Sequence, residues 1–154
     1  MSRITVTRTI NAPPAVVFNT VADIRQFSKA LPHVVNFEFL SEVQSGVGTR
    51  FRETRRMNGK AATTELEVTE FVENEWIRLV ADDNHGSVWD TLFAIKAEHG
   101  QTMLTMTMDA KSYKWMATIA VFFIKGMVRR AVERDMDFVK AFCEKTGDDS
   151  TSSG

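Results

Sequence analysis

Residues 87–109 read SVWDTLFAIKAEHGQTMLTMTMD, and the pattern of this stretch decides the fold. Its first half, residues 87–97, and its second half, residues 102–109, each place apolar side chains at every second position along one face. That period of two is typical of β-strands that bury one face. The turn signal His99-Gly100 lies between the halves, so we predict two antiparallel strands joined by a tight turn.

The same period continues toward the N-terminus through further strands. A first strand precedes the break at Asn11, and four more are expected at residues 35–43, 49–57, 62–71 and 76–81. Asn58-Gly59 is the strongest hairpin signal between them, because both residue types tolerate a left-handed backbone. Even spacing and short turns predict an antiparallel meander.

Helices are predicted on either side of this meander. Pro13-Pro14 favours a helix start, and Asp23 caps a second short helix that ends at Pro32. Residues 114–145 contain no proline and are interrupted only by Gly126, which predicts one long helix ending at Gly147. We expect a single domain of residues 1–146, followed by a disordered tail of small polar residues at 147–154.

These elements define an α+β chain. The predicted order is one strand, two short helices, six strands and one long helix. Only the last helix is long enough to cover the buried face of the sheet. We therefore predict a seven-stranded, curved antiparallel sheet around a long C-terminal helix, with the two short helices closing one end. A curved sheet seldom closes completely on a helix, which leaves room for a cavity between them.

Composition argues against several classes of protein. The 154 residues carry 19 basic and 20 acidic side chains, a balance unlike that of a general nucleic-acid binder. The single cysteine, Cys143, rules out an internal disulfide and a cysteine-rich zinc site, and it favours a reducing, cytoplasmic location. We expect no signal peptide and no transmembrane segment, since no run approaches the ~18 apolar residues that a spanning helix needs.

The order of elements resembles the helix-grip fold of the START/Bet v 1-like (SRPBCC) superfamily. Five local motifs are similar to those of its polyketide cyclase/dehydrase branch. These motifs are Ile10-Asn11-Ala12-Pro13, Pro32-His33-Val34, Gly46-Val47-Gly48-Thr49-Arg50-Phe51, Glu67-Val68-Thr69-Glu70-Phe71 and Asp135-Met136. The resemblance covers residues 3–145. It implies a domain that binds lipids, polyketides, hormones or other apolar molecules, and in which only some members catalyse a reaction.

This resemblance makes the inward faces of the strands and of the last helix candidate walls of a ligand cavity. Strand parity and helical spacing select Phe51, Glu53, Arg55, Leu66, Val68, Ile77, Leu79, Trp89, Thr91, Phe93, Ile95, Leu104, Met106, Met108, Ala120, Val121, Ile124 and Val128. Ordinary core packing is the competing interpretation for each of them. Glu53 and Arg55 share the face of Phe51, so they are polar anchors if Phe51 points inward. The alternative is that this strand twists and both charged side chains reach solvent.

The last helix carries two further features. Asp135 falls within its apolar stripe, where an unpaired carboxylate is costly, so we predict an ion pair with the sheet. Arg8 is the favoured partner because the pattern of the first strand is cleaner, and Arg55 is the other candidate. The far face of the first half of the helix is also apolar. Unless the short helices cover it, we expect an interaction patch for a homodimer, a peripheral membrane contact or a gate over the cavity, formed by Met116, Ile119, Phe122 and Phe123.

Few residues suggest catalysis or a cofactor. His33, His85 and His99 are too scattered for a metal cluster, and no glycine-rich phosphate loop is present, so we expect no metal and no cofactor. The favoured function is binding of a small apolar or aromatic ligand, lipid-like or polyketide-like. One alternative is a cyclase/dehydratase-like enzyme with Glu53, Arg55 or His33 as acid–base groups. The other is an interaction protein that uses the interaction patch.

Overall fold

One antiparallel sheet holds the seven strands found among the described residues of the computed structural model. The structure describes residues 2–82, 86–112 and 115–152, with the side chains of residues 3–56, 58–82, 86–111 and 125–146. The strands are β1 (Ser2–Ile10), β2 (Val34–Phe39), β3 (Arg50–Met57), β4 (Lys60–Val72), β5 (Trp76–Asp82), β6 (Ser87–Glu98) and β7 (Gln101–Ser112). Their order is β1-β7-β6-β5-β4-β3-β2, so the predicted meander is confirmed and β1 pairs with its last strand.

Two of the turns have the backbone that their sequences predict. Met57 pairs with Lys60 across Asn58-Gly59, and Glu98 pairs with Gln101 across His99-Gly100. All four turn residues have a positive φ, between 49° at His99 and 79° at Gly100. Such two-residue turns match the right-handed twist of the strands that they join. They therefore fix the register of β3 with β4 and of β6 with β7.

Three helices complete the described part of the fold: α1 (Pro14–Ala22), α2 (Ile24–Ala30) and α3 (Trp115–Ser152). Asp23 caps α2, because its Oδ1 accepts a hydrogen bond from the backbone N–H of Arg25 at 2.9 Å. The end predicted for the last helix at Gly147 is wrong, since α3 continues to Ser152. A glycine costs a helix only about 1 kcal/mol, and no proline follows it to break the backbone.

The core lies between the concave face of the sheet and α3, and residues of the short helices belong to it. Val17 and Phe18 of α1 are fully buried, as is Leu31 just after α2. Thr102 Oγ1 donates a 2.6 Å hydrogen bond to the carbonyl oxygen of Ala12, and the thiol of Cys143 donates to Thr20 Oγ1 at 3.3 Å. These contacts join α1 and the segment before it to the sheet and to α3.

The convex face of the sheet carries charged pairs between neighbouring strands. Arg52 on β3 donates to Glu65 on β4 at 2.7 Å. Arg78 on β5 binds Glu70 at 2.7 Å and Asp90 at 2.8 Å. Cross-strand pairs of this kind stabilise a sheet modestly and keep its outer face in water. On β3, charged side chains that point outward therefore form surface pairs, whereas those that point inward lie on the side of α3.

Candidate functional site: a cavity between the sheet and the long helix

A cavity of about 330 Å³ lies between the concave face of the sheet and α3. Strands β3 to β7 supply one wall, α3 supplies the opposite wall, and α1 and α2 close it at one end. Most of the lining is apolar, and four aromatic side chains contribute to it: Phe27, Phe51, Trp89 and Phe93. Phe27 and Phe93 meet edge to face, with their ring centroids 6.1 Å apart. The cavity is thus bounded by side chains that prefer apolar or aromatic contents.

Strand parity places most of the predicted wall residues at this cavity. Among them the lining includes Phe51, Glu53, Arg55, Leu66, Leu79, Trp89, Thr91, Phe93, Met106, Met108 and Val128. Val68, Ile77 and Leu104 share these faces but are buried in the packed core, and Ile95 lies partly buried against that core. The side chains of Ala120, Val121 and Ile124 lie outside the described residues, as do those of the interaction patch, Met116, Ile119, Phe122 and Phe123.

Sequence reasoning missed several lining residues that simple rules would have found. Thr64 and Ala81 line the cavity, and each lies two positions from a predicted wall residue on the same strand face. The short helices do more than close one end of the cavity, since their residues Val21, Ile24 and Phe27 line it. Which face of a short helix turns inward depends on its docking angle, and sequence periodicity does not give that angle.

Four polar side chains form a cluster at the cavity wall. This polar cluster consists of Glu53 and Arg55 on β3, Asp135 on α3, and His33 in the segment between α2 and β2. Arg55 Nε donates to Glu53 Oε1 at 2.8 Å, and Arg55 Nη1 donates to Asp135 Oδ2 at 2.8 Å. Glu53 and Asp135 are both buried. The alternative in which β3 twists and turns Glu53 and Arg55 to solvent is therefore wrong.

His33 joins the polar cluster from its outer end. Its Nε2 lies 3.0 Å from Asp135 Oδ1 and 3.3 Å from Arg55 Nη1. The backbone holds it there, because the carbonyl oxygen of His33 accepts a 2.9 Å hydrogen bond from the N–H of Arg56. The imidazole ring also packs against Phe138, at 6.2 Å between ring centroids. The structure thus brings the three acid–base candidates, Glu53, Arg55 and His33, into one hydrogen-bonded group.

The electrostatics of the polar cluster hold Arg55 as a permanent cation. Burial of the guanidinium disfavours its charge, but the attraction of Glu53 and Asp135 and the hydrogen bonds to both carboxylates raise the pKa of Arg55 above its ordinary value. One guanidinium therefore faces two buried carboxylates. Such a group satisfies its polar atoms internally, which is what a buried charged network requires.

The predicted ion pair between Asp135 and Arg8 is wrong, because Asp135 pairs with Arg55 instead. Arg8 on β1 donates to Asp137, with 2.7 Å between Nε and Oδ1. Two residues along an α-helix are separated by about 200° of rotation, so Asp135 and Asp137 lie on nearly opposite sides of α3. β1 borders the Asp137 side, and β3 reaches the Asp135 side across the cavity. The helix phase predicted for Asp135 holds, and only its partner was misassigned.

The remaining chemically notable residues lie away from the cavity or outside the described part. His99 is exposed in its turn, while His85 and Tyr113 are not among the described residues. Cys143 is buried, and this burial raises the pKa of its thiol. No group of three or more His, Cys, Asp or Glu side chains within the described ranges is arranged to hold a metal ion. No helix in those ranges is long and apolar enough to cross a membrane.

Known structures share this architecture at low sequence identity. The crystal structure of Ara h 8.0201 is 12% identical, with a TM-score of 0.73 over 92% of this chain and 97% of that one. TTHA0849 from Thermus thermophilus is 17% identical, with a TM-score of 0.70 over 94% and 95% of the two chains. The di-domain ARO/CYC StfQ from the steffimycin biosynthetic pathway is 11% identical, with a TM-score of 0.77 over 94% of this chain and 51% of its own. These likenesses show the helix-grip fold.

Sequence comparison assigns the family. No curated protein sequence matches the chain. Residues 1–141 match the family described as "Polyketide cyclase / dehydrase and lipid transport". The matched range contains all seven strands, both short helices and most of α3. This match agrees with the fold and with the resemblance of the local motifs. The chain belongs to the polyketide cyclase/dehydrase and lipid transport family.

Proposed function

We propose that the chain binds a small apolar or aromatic molecule in the cavity between the sheet and α3. The observation that carries the proposal is the cavity itself, about 330 Å³ of space inside a fold of this size. Protein interiors are normally packed as densely as organic crystals, and ligand sites begin at about 300 Å³. A space of this volume behind an apolar wall favours an occupant over ordinary core packing.

The composition of the wall indicates what the occupant looks like. Phe51, Trp89 and Phe93 offer ring faces and edges, which favour an aromatic or otherwise flat partner. Met106 and Met108 add flexible, polarisable side chains that adjust to irregular shapes. The volume lies at the lower end of the range for ligand sites, so a molecule of a few rings or a short chain fits better than a long lipid.

The polar cluster supplies the orienting contact of such a site. Ligand pockets are typically apolar with a few convergent polar groups, and here Glu53, Arg55 and Asp135 face the cavity from one region of its wall. A ligand with one polar end would place that end at the polar cluster and its apolar body against the aromatic side chains. The family description and the ARO/CYC likeness support a ligand of polyketide or lipid type.

Tryptophan fluorescence tests the proposal. Trp89 lines the cavity, whereas Trp76 lies at the exposed start of β5. Binding of a neutral apolar dye should quench tryptophan emission, and the quench should shrink in Trp89→Leu but persist in Trp76→Leu. The dye's own emission reports whether each variant still binds. An equal quench in both variants, or no saturable binding at all, would refute a ligand site at this place.

A second function, acid–base catalysis on a polyketide-type substrate, is supported by one specific observation. Glu53, which lines the cavity, joins a single hydrogen-bonded group with Arg55 and His33. General acid–base catalysis requires such groups at hydrogen-bond distance from the substrate. Turnover of a reactive poly-β-keto chain should then fall in Glu53→Gln and in His33→Phe while binding persists. Turnover that survives the loss of Glu53, Arg55 and His33 together would exclude this role.

A further inference from the structure

The charge balance of the polar cluster suggests which ligands the cavity admits. Among the described residues that line the cavity, the charged side chains are Glu53, Arg55 and Asp135. An isolated buried arginine would be an anchor for a carboxylate. Here Arg55 already binds a carboxylate oxygen on each side, at 2.8 Å from Glu53 and 2.8 Å from Asp135.

His33 does not reverse this balance. With His33 neutral, one guanidinium and two carboxylates leave the polar cluster with a net charge of −1. With His33 protonated, the net charge is zero. The polar cluster is therefore not positive in either protonation state of His33, and an entering anion meets two buried carboxylates with no cation left uncompensated.

We infer that the cavity selects ligands whose polar end is uncharged or cationic and discriminates against free carboxylates. This inference rests on the proposed binding function and narrows it to alcohols, phenols or amines with an apolar body. The carboxylates of the polar cluster accept hydrogen bonds from a hydroxyl or ammonium group, and a carboxylate ligand has no such proton to offer. Repulsion between like charges is strong in a buried site, because water screens it poorly.

A set of matched probes tests the inference at neutral pH. Naphthylmethanol, naphthylmethylamine and naphthoate share one ring system and differ in the charge of the polar end. Their affinities are measured by calorimetry or by quenching of Trp89. The parent protein should bind naphthylmethanol and naphthylmethylamine at least about tenfold more tightly than naphthoate.

Glu53→Gln supplies a second readout. It removes one negative charge while keeping the shape of the side chain, so naphthoate should bind about tenfold more tightly than it binds the parent. The preference for naphthylmethanol over naphthoate should therefore fall by at least about tenfold. Glu65→Gln is the matched control, since Glu65 pairs with Arg52 on the convex face of the same sheet. This control should leave all three affinities unchanged.

The outcomes separate the two claims. If the parent binds naphthoate as tightly as naphthylmethanol, the charge selection is wrong and the binding function stands. If none of the three probes binds, the proposed binding function is wrong, and the inferred charge selection is wrong as well. The ranking in the parent protein decides the matter even if Glu53→Gln fails to fold.

Discussion

Arg55→Leu is the substitution that should damage the structure most severely. The guanidinium joins β3 to α3 across the cavity through two hydrogen bonds of 2.8 Å, to Glu53 and to Asp135. Those carboxylate side chains are only 10% and 11% exposed, so removal of Arg55 leaves two buried negative charges without a cation. Breaking a buried ion pair in this way typically costs about 3–5 kcal/mol.

The second arginine–aspartate pair of the helix is a matched control. Arg8 and Arg55 are equally exposed, at 27% of the side chain, but the partner of Arg8, Asp137, is 63% exposed whereas Asp135 is 11% exposed. Exposed pairs contribute roughly 0–1 kcal/mol. Arg8→Leu should therefore lower the free energy of unfolding by no more than about 1 kcal/mol.

Urea unfolding followed by far-UV circular dichroism measures both variants. A loss of about 3–5 kcal/mol corresponds to a fall in Tm of roughly 6–20 °C for a domain of this length. Combining Arg55→Leu with Glu53→Gln and Asp135→Asn removes the unpaired charges, so it should recover at least half of the loss. If Arg55→Leu and Arg8→Leu unfold within about 1 kcal/mol of each other, the polar cluster is solvated and the reasoning is wrong.

Three further predictions follow from local features. Gly59→Ala should destabilise the hairpin by about 1 kcal/mol, because its φ is +77°, whereas Gly126→Ala within α3 meets no neighbour and should stabilise by a similar amount; opposite shifts in Tm check this pair. Burial raises the pKa of the Cys143 thiol, so a thiol reagent at neutral pH should label it only after unfolding, and rapid labelling of the folded protein would contradict its burial. The hydrogen bond from Arg3 lowers the pKa of Asp109, so its contribution to stability is present at neutral pH and is lost as pH falls through that lowered pKa. Arg3→Gln should thus be less stable than the parent at pH 7, and this difference should shrink as the pH falls. A difference that stays unchanged in acid would argue against the pair.

Strand faces and turns were predictable from the sequence because they depend on local backbone geometry. Side chains alternate across any strand, so the parity of Phe51 carries Glu53 and Arg55 inward with it. The Asn58-Gly59 turn requires a left-handed backbone at both positions, and few residue types adopt it as readily. Neither feature needs knowledge of where distant elements pack.

The partner of Asp135 depends instead on how distant elements approach one another. Helical phase correctly placed Asp135 on the buried side of α3, but Arg8 and Arg55 both lie on inward strand faces and are equally acceptable by parity. The choice between them depends on which strand borders which flank of the helix, and that is set by the curvature of the whole sheet. For the same reason the sequence made His33 a candidate acid–base group but did not indicate that it contacts Asp135.

The volume of the cavity was likewise beyond sequence reasoning. Thr64, Ala81 and Phe27 line the cavity together with residues selected by parity. Val68 and Leu104 lie on the same strand faces but are buried in the hydrophobic core. Whether an inward side chain meets a neighbour or a space depends on the distance between α3 and each strand. Periodicity contains no information about that distance.

Methyl resonances of isotope-labelled methionines test the binding claim most directly. Met106 and Met108 of β7 line the cavity, and Met103 lies on the opposite face of the same strand. On titration with naphthylmethanol, the methyl signals of Met106 and Met108 should show saturable shifts while that of Met103 stays in place. A shift of Met103 alone, or the absence of any saturable shift at Met106 and Met108, would contradict a ligand site between the sheet and the helix.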